Sequence, residues 1–508
     1  MQGTRVERVR GANDVLPHEY ATLKQLERAL GSHFESFGYR PMDVPIVEHT
    51  DLYLKKAGDE VIARLYDFTY QNRRLSLRPE MTASTIRAYV DSLQQEPLPV
   101  RLYVHGPVFR YEKPQRGRSR QFTQMGVELI GGAGALADAE VISLACKGLD
   151  QLGLTEYRVV IGHVGILAEF LEHLDLDPRL SSFLVSNMEV LGREGVEHVM
   201  ARLHELFPSL RQRPDEAGTG RLTDLFRSMD DGEAREAILD LLRSMNVELG
   251  GTRTPEEIVA RLLTKMRRQD QTSQIEQALD FMARLGQLVG DPFTVLDEAD
   301  ALVAAHGMSR LPLEQLRADL ETLRCYTLDW SRIHLDFGLS RGLRYYTGMI
   351  FEIHHGAAGE ERQICGGGRY DDLIAVLGGQ ADVPAVGFAY GLERLRLALE
   401  SEGRLSEASS AGTDVLVIPV SAEEYGYAVG VAEQLRAEGA RVELDVRGRS
   451  VKNNLQYAGK QGIPFTIIVG SEEARAGEVV LRDMVSREER RAAIGEAIEV
   501  IKRERTGV

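Results

Sequence analysis

Val104-His105-Gly106-Pro107-Val108-Phe109-Arg110-Tyr111-Glu112-Lys113-Pro114-Gln115-Arg116-Gly117-Arg118-Ser119-Arg120-Gln121-Phe122-Thr123-Gln124-Met125-Gly126-Val127-Glu128-Leu129-Ile130 reads as a strand, an arginine-rich loop and a returning strand. Arg110, Arg116, Arg118 and Arg120 fall within eleven positions, separated by Pro114 and Gly117, which turn the chain. The return strand alternates: Gln124, Gly126 and Glu128 face one way, and Met125, Val127 and Leu129 the other. A polar row on a half-buried strand predicts a pocket wall. Rigid guanidinium forks beside that wall suit phosphate better than ammonium groups do. Taken alone, the four arginines are equally compatible with a solvated hairpin, so the rest of the chain has to decide.

At 508 residues, 43% apolar and 27% charged, the chain has the composition of an ordinary globular protein and length for about three domains. No stretch approaches the ~20 apolar residues that span a membrane, and the N-terminus lacks a signal-peptide core. Cys146, Cys325 and Cys365 are few and scattered, offering neither a disulfide framework nor zinc-ligand spacing. A cytoplasmic location is the expectation. The formal net charge of −16 argues against non-specific nucleic-acid binding by the whole surface and leaves room for a local basic face.

Outward from the central hairpin, Leu23, Leu26, Leu30 and Phe34 predict an amphipathic helix over 18–37, followed by a strand interrupted at Pro45. A hairpin over 64–78, a helix opening at Arg78-Pro79-Glu80-Met81-Thr82 and a helix over 138–152 surround the core stretch. Residues 170–325 read almost entirely as helices. Strands resume at 332–338, 348–354 and 385–388, with glycines at 366–368 between them. After a small, polar linker the period changes. Strands at 414–420, 441–446 and 464–469 alternate with helices, which predicts an α/β unit on a mainly parallel sheet, covered by a last helix over 486–503.

These segments together resemble the class II aminoacyl-tRNA synthetases, and within them the histidyl-tRNA synthetase family. Gly38–Glu48 is similar to the first class motif, whose proline (here Pro45) lies at a dimer interface. Phe109-Arg110-Tyr111-Glu112 with the arginine loop is similar to the second, and Gly387-Phe388-Ala389-Tyr390-Gly391-Leu392-Glu393-Arg394 to the third. Leu339–Gly348 and Gly366–Asp371 resemble two histidine-specific motifs. The resemblance implies an α/β fold: an α+β catalytic domain on an antiparallel sheet (1–169 and 326–402), a helical insertion (170–325), a linker (403–412) and an anticodon-binding domain (413–508).

It also implies activation of L-histidine by ATP with Mg²⁺, followed by transfer to tRNA(His), in a homodimer. Arg110 then matches the arginine on the α-phosphate, Arg394 the one across the triphosphate, and Arg341 the one bridging substrate carboxylate and α-phosphate. Arg118 and Arg120 would meet the outer phosphates or adenine, with Glu112 and Glu393 holding either the arginines or Mg²⁺. Glu80, Thr82 and Gln124 would take the α-amino group, Glu128 and Tyr346 the imidazole, with Tyr370 closing the pocket and Tyr345 also among the histidine-binding residues. Lys113 and Gln115 are candidates for the tRNA acceptor end, and Arg447, Arg449 and Lys452 for the anticodon region. No protein-borne metal site is expected, since His163, His354 and His355 have no ligand-spaced partners.

Two features depart from the pattern. Gly162-His163-Val164-Gly165 is closer to the paralogue that regulates ATP phosphoribosyltransferase, a histidine-binding protein without ligase activity. That paralogue generally lacks the C-terminal domain and often the catalytic arginine, both present here. The middle region is also long, so residue-level carry-over stops at its borders. A glycyl- or threonyl-type enzyme shares the C-terminal fold without accounting for Arg341-Gly342-Leu343 and Tyr345-Tyr346.

Overall fold

The computed structural model describes residues 6–55, 62–113, 117–207, 231–244, 271–339, 345–358, 363–380, 383–405 and 412–506. The chain divides into two compact units, Met1–Asp14 with Leu26–Leu405, and Val15–Gln25 with Ser406–Val508.

The first unit is built on a nine-stranded sheet. In chain order its strands are β1 (Arg40–Met42), β5 (Val100–Phe109), β6 (Gln121–Ile130), β7 (Tyr157–His163), β8 (Val289–Gly290), β9 (Ile333–Asp336), β10 (Met349–His355), β11 (Gln363–Arg369) and β12 (Ala385–Gly391). Their spatial order is β1-β5-β6-β12-β11-β10-β7-β9-β8. From β5 to β7 every pairing is antiparallel, while β1 on β5 and β9 on β7 run parallel. β5 and β6 pair over their full length, from Val100 opposite Ile130 to Phe109 opposite Gln121. The central hairpin is thus the longest ladder of the sheet, and its loop carries the arginines.

Close strand packing explains several glycines at the middle of this sheet. A Cβ on Gly126 would lie 2.9 Å from the Ala389 Cα of β12, and one on Gly367 would lie 2.6 Å from the Phe388 Cβ. The glycines at 366–368 are therefore strand residues whose missing side chains let neighbours approach, with Gly366 also reaching the cavity described below.

One sheet face is covered by the C-terminal part of helix Pro17–Ser36 and by helix Ala135–Gln151. Leu23, Leu26, Leu30 and Phe34 are all buried, as their spacing predicts. Phe34 meets Phe388 edge-on at 5.9 Å and stacks on Tyr390 at 6.4 Å. Burying such a ring contributes roughly 2–3 kcal/mol. The strand expected to run through Pro45 is in fact two strands in two sheets: β1, and β2 (Val47–His49), which joins β4 (Arg73–Leu77) and β3 (Asp67–Tyr70) in a three-stranded sheet. The buried Arg78 ties the break together, its Nη1 donating to the Val44 and Pro45 carbonyls and its Nε to Pro107 (2.8 Å).

Between 164 and 323 the described residues are helices, except for the two-residue β8 at the sheet edge. Helix Leu311–Leu323 packs along Ala135–Gln151 and brings Asp319 against Asp138, two buried carboxyls that share a hydrogen bond. Asp138 faces the Arg369 guanidinium and is the ionised member. Asp319 keeps its proton, burial and the neighbouring carboxylate pushing it up to about 8. A carboxyl that prefers its proton only when folded loses stability as pH climbs from the unfolded value near 4 towards 8. Asp319→Asn, which preserves the donor without titrating, should therefore raise the melting temperature by roughly 2 °C or more at pH 8. At pH 4 it should leave it unchanged. Parallel melting curves for both proteins at pH 8 would count against the assignment.

The second unit carries a five-stranded sheet, β14 (Val442–Leu444), β13 (Val415–Pro419), β15 (Phe465–Val469), β16 (Glu478–Asp483) and β17 (Glu489–Ala493), in that order. The first three are parallel, as the alternation of strands and helices predicts, and β16 and β17 add an antiparallel edge. The last helix was expected over 486–503; residues 489–493 instead form β17, and the helix is Ile494–Thr506. Glu489, Arg490 and Arg491 are exposed. Charge on an edge strand protects against further pairing and erases the apolar alternation that marks a strand in sequence.

Candidate active site

A cavity of about 740 Å³ opens in the first unit, on the face of β6, β12, β11 and β10 opposite the covering helices. Its walls include Glu80, Thr82, Arg110, Glu112, Arg118, Gln124, Glu128, Tyr345, Tyr346, Tyr370, Glu393 and Arg394. Segments more than 300 positions apart in sequence thus contribute to one space.

At one end lie the guanidinium groups. Arg110 closes β5; its Nε donates to the Pro79 carbonyl (2.8 Å), and its guanidinium carbon lies 5.4 Å from the Phe122 ring centre. Arg394, in the first turn of helix Leu392–Ser401, donates from Nε to the Gly117 carbonyl and from Nη1 to the Gln363 carbonyl (2.9 Å each). Arg118 pairs with the buried Glu112, which Arg64 Nη1 also reaches at 3.2 Å. Burial opposes ionisation of Glu112, but Arg118, Arg110 and Arg64 outweigh it and hold the carboxyl below its ordinary range. Of the two roles open to Glu112, holding the arginines is the one these contacts support.

Glu393 takes the Thr123 N–H and hydroxyl on its carboxylate (2.9 Å), which locks the third motif's helix to β6. Burial raises it.

The other end is a row of acceptors beneath three tyrosines. Gln124 and Glu128 project from the same face of β6, as the alternation predicts. The Gln124 Oε1 is buried and has no hydrogen-bond partner among the described residues. Glu128 is buried, accepts from the Tyr370 hydroxyl and lies within hydrogen-bond reach of Thr82; burial pushes it up to about 8, with the nearby Glu80 acting in the same direction. Glu80 caps helix Thr82–Ser92, its two oxygens accepting from the N–H groups of Thr82 (2.6 Å) and Ala83 (3.0 Å). Tyr345, Tyr346 and Tyr370 pack against one another with ring centres 4.8 to 6.5 Å apart. A buried acceptor without a partner among the described residues, on the wall of a polar cavity, is what a ligand bearing N–H donors would satisfy.

Several expected residues lie elsewhere. Arg120 is not among the lining residues: Nε donates to the Glu112 carbonyl (3.1 Å), Nη1 to the Arg10 carbonyl (3.0 Å), and the group stacks 4.0 Å over Tyr111. Lys113 is exposed beside the loop. Arg341 and Gln115 fall outside the described residues. In the second unit, buried Asp445 accepts from the N–H groups of Arg447 (3.2 Å) and Arg449 (2.7 Å), fixing the loop before helix Val451–Gln461. Arg447 and Lys452 are exposed there, and Arg449 lies 4.4 Å over the Tyr457 ring.

Other lining residues lie outside the quoted motifs, His354 among them. Arg64, Asp336, Glu352, His354 and Gln363 line the cavity, as do Glu189 and Arg193 from helix Met188–Glu194. Glu352 accepts from Gln363 (3.0 Å) and is 2.7 Å from the His354 Nε2. Period two along β10 puts Glu352 and His354 on one face, which is the signal that would have found them. His163 is buried at the end of β7, and burial alone lowers it to about 4. Gly165 packs on its ring; a Cβ there would lie 2.8 Å from Cε1.

The comparisons with known proteins agree with this geometry. The family model "Histidyl-tRNA synthetase" matches residues 11–256 and 239–395, and "Anticodon binding domain" matches 414–504. The histidine--tRNA ligase of Pyrococcus furiosus is 33% identical over 499 residues, 98% of this chain and 99% of the relative. That of Methanocaldococcus jannaschii is 32% identical over 493 residues, covering 96% and 98%. Among solved structures, histidyl-tRNA synthetase from Nostoc sp. PCC 7120 has a TM-score of 0.63 at 22% identity, covering 99% of this chain and all of that one. The S. aureus enzyme gives 0.60 at 25%, covering 98% and 100%. Matched along nearly its whole length, this chain belongs to the histidyl-tRNA synthetase family.

Proposed function

We infer that this chain is a histidine--tRNA ligase: it activates L-histidine with ATP to histidyl-adenylate and transfers the histidyl group to the 3′ end of tRNA(His). The observation that carries the reading is the joining, in one cavity, of an arginine end suited to a triphosphate with an acceptor row suited to an ammonium and an imidazole. The histidine carboxylate oxygen attacks the α-phosphorus, the bond to the bridging oxygen breaks, and pyrophosphate leaves. Such a step needs alignment and charge stabilisation more than acid–base chemistry. Arg110 and Arg394 supply two fixed cationic arms, and Arg341 is proposed as the third, bridging carboxylate and α-phosphate. ATP enters with Mg²⁺ on its phosphates. In the second step a ribose hydroxyl of the tRNA attacks the acyl carbon, AMP departs, and a phosphate oxygen of the substrate accepts the proton.

Histidine selection follows from buried polar groups that a ligand would have to match, the Gln124 Oε1 as acceptor and a protonated Glu128 as donor. Gln124, Glu80 and Thr82 are proposed for the α-amino group, Glu128 and the tyrosines for the ring. An analogue without matching donors would leave buried groups unsatisfied, which rejects it by several orders of magnitude. The fold is common to both readings, being shared at 22% identity and a TM-score of 0.62 with an ATP phosphoribosyltransferase regulatory subunit/histidyl-tRNA synthetase from Bacillus halodurans. The matched C-terminal domain and intact Arg110 favour the ligase. The deciding experiment is pyrophosphate exchange into ATP, expected only with histidine present. Folded protein that binds histidine without exchange would be the regulator.

The second unit is proposed to hold the anticodon region through Arg447, Arg449 and Lys452, where a rigid loop and a helix N-terminus offer donors to phosphate. Lys113 and Gln115 are proposed to meet the acceptor end. Removing residues 413–508 should reduce tRNA charging at least about a hundredfold while exchange falls less than about threefold. Equal losses in both assays would make the unit a structural brace. A homodimer is proposed because Ile46 and Val47, next to Pro45, and Phe68 and Tyr70 of β3 are exposed apolar side chains. No helix of the described residues is long and apolar enough to cross a membrane; a cytoplasmic place of work follows from the tRNA substrate.

A further inference from the structure

Beside the histidine end of the cavity is an ionic cluster with no assigned part in the reaction. Arg369, the last residue of β11, is buried and immediately precedes Tyr370. Its Nε and Nη2 donate to Asp138 (3.1 and 2.7 Å), and its Nη1 donates to Asp371 (3.0 Å) and the Gly132 carbonyl (3.1 Å). These anchors come from the first turn of helix Ala135–Gln151, the turn before it, and the residue after Tyr370. The backbone is stitched at the same place. Thr347 N donates to the Arg369 carbonyl (2.8 Å), Asp371 N to the Thr347 hydroxyl (3.1 Å), and Ala385 N to Asp371 Oδ1 (3.2 Å). Tyr370 is therefore clamped on both sides, and Thr347 ties the preceding Tyr345 and Tyr346 to the same point.

Charge neutralisation alone does not account for this arrangement. A buried ion pair brings little net stability over apolar packing of equal volume, and Asp138 already has a second partner in Asp319. What a planar fork adds is direction: one rigid group fixes three separate anchors in a single plane. We propose that Arg369 is a positioning residue for the histidine pocket, holding Tyr370 against Glu128 and Tyr346 across the cavity through Asp138, Asp371 and the Gly132 carbonyl. This rests on the histidine-ligase reading above. Arg369 touches no substrate; it acts through the tyrosines that do.

The consequence is a selective defect. The arginine end of the cavity does not hang on this cluster, so loosening it displaces the histidine side and spares the nucleotide side. Misplacement by about 1 Å is enough to weaken a designed polar site by one to two orders of magnitude. Lysine at 369 keeps the charge on Asp138 but cannot reach Asp371 and Gly132 in one plane. In exchange assays on the full chain, Arg369→Lys should raise the KM for histidine about tenfold or more and leave the KM for ATP within about twofold. Asp371→Asn, at a half-exposed side chain where folding is not at risk, should shift the histidine KM in the same direction by a smaller factor. It decides the matter if Arg369→Lys does not fold. Equal changes in both KM values, or a lower melting temperature with both KM values unchanged, would overturn the positioning role. Wild-type protein without any histidine-dependent exchange would instead bring down the reaction itself, and this inference with it.

Discussion

Arg110→Ala should lower histidine-dependent pyrophosphate exchange by roughly 10²–10³-fold, the usual loss when one fixed donor is removed from a charge-developing centre. The group is preorganised: its Nε is held by the Pro79 carbonyl, and Phe122 lies beneath the guanidinium. The protein thus does not have to reorient it as negative charge builds on phosphorus. It also helps to keep the buried Glu112 ionised, which Arg118 and Arg64 would continue to do in its absence. Losing the bond to Pro79 removes about 1 kcal/mol, so the variant should fold and melt close to wild type. Arg110→Lys keeps the charge without the fork and should recover only part of the rate. The loss should appear mainly in kcat, since the contact strengthens as the bond forms. Exchange within threefold of wild type in the alanine variant would remove Arg110 from the reaction.

Glu128→Gln should change both the strength of histidine binding and its dependence on pH. Burial and the nearby Glu80 push Glu128 up to about 8, so in the empty pocket it carries its proton at pH 7. In the proposed site a protonated carboxyl would donate to the bare nitrogen of a neutral imidazole while the Tyr370 hydroxyl steadies its other oxygen. Above pH 8 the proton leaves and that donor is lost. Below about 6.5 the free imidazole itself charges. The KM for histidine should therefore be lowest between those values and rise on both sides. Glutamine offers a donor that does not titrate, so the alkaline rise should vanish. The KM at pH 7 should increase roughly tenfold, as the amide cannot share a proton with the ring. An alkaline limb that survives the substitution would assign the titration to another group, or to the substrate.

Most of the architecture was readable in the chain because its signals are local. Period-two alternation over 124–129 placed Gln124 and Glu128 on one face, and β6 shows them there. The helical spacing of Leu26, Leu30 and Phe34 and the strand–helix rhythm after residue 412 are of the same kind. Where the reading fell short, a partner from elsewhere in the chain decided the outcome. Residues 489–493 look like part of a charged helix and become a strand because β16 offers them a ladder. Arg118 and Arg120 stand two apart on one loop and read as equivalent. Arg118 turns to Glu112 and the cavity, whereas Arg120 turns to the Arg10 carbonyl and the Tyr111 ring. Arg64 and Glu352 carry no motif and still line the site.

The order of residues was enough to specify the strands, the helices, the motif set and hence the chemistry available, since each depends on neighbours a few positions away. Which guanidinium turns to the cavity, which carboxyl keeps its proton, and which groups Arg369 pairs with were settled by folding. Those outcomes depend on desolvation and on contacts between segments up to hundreds of positions apart, and a long side chain takes its direction from whichever distant partner arrives to meet it.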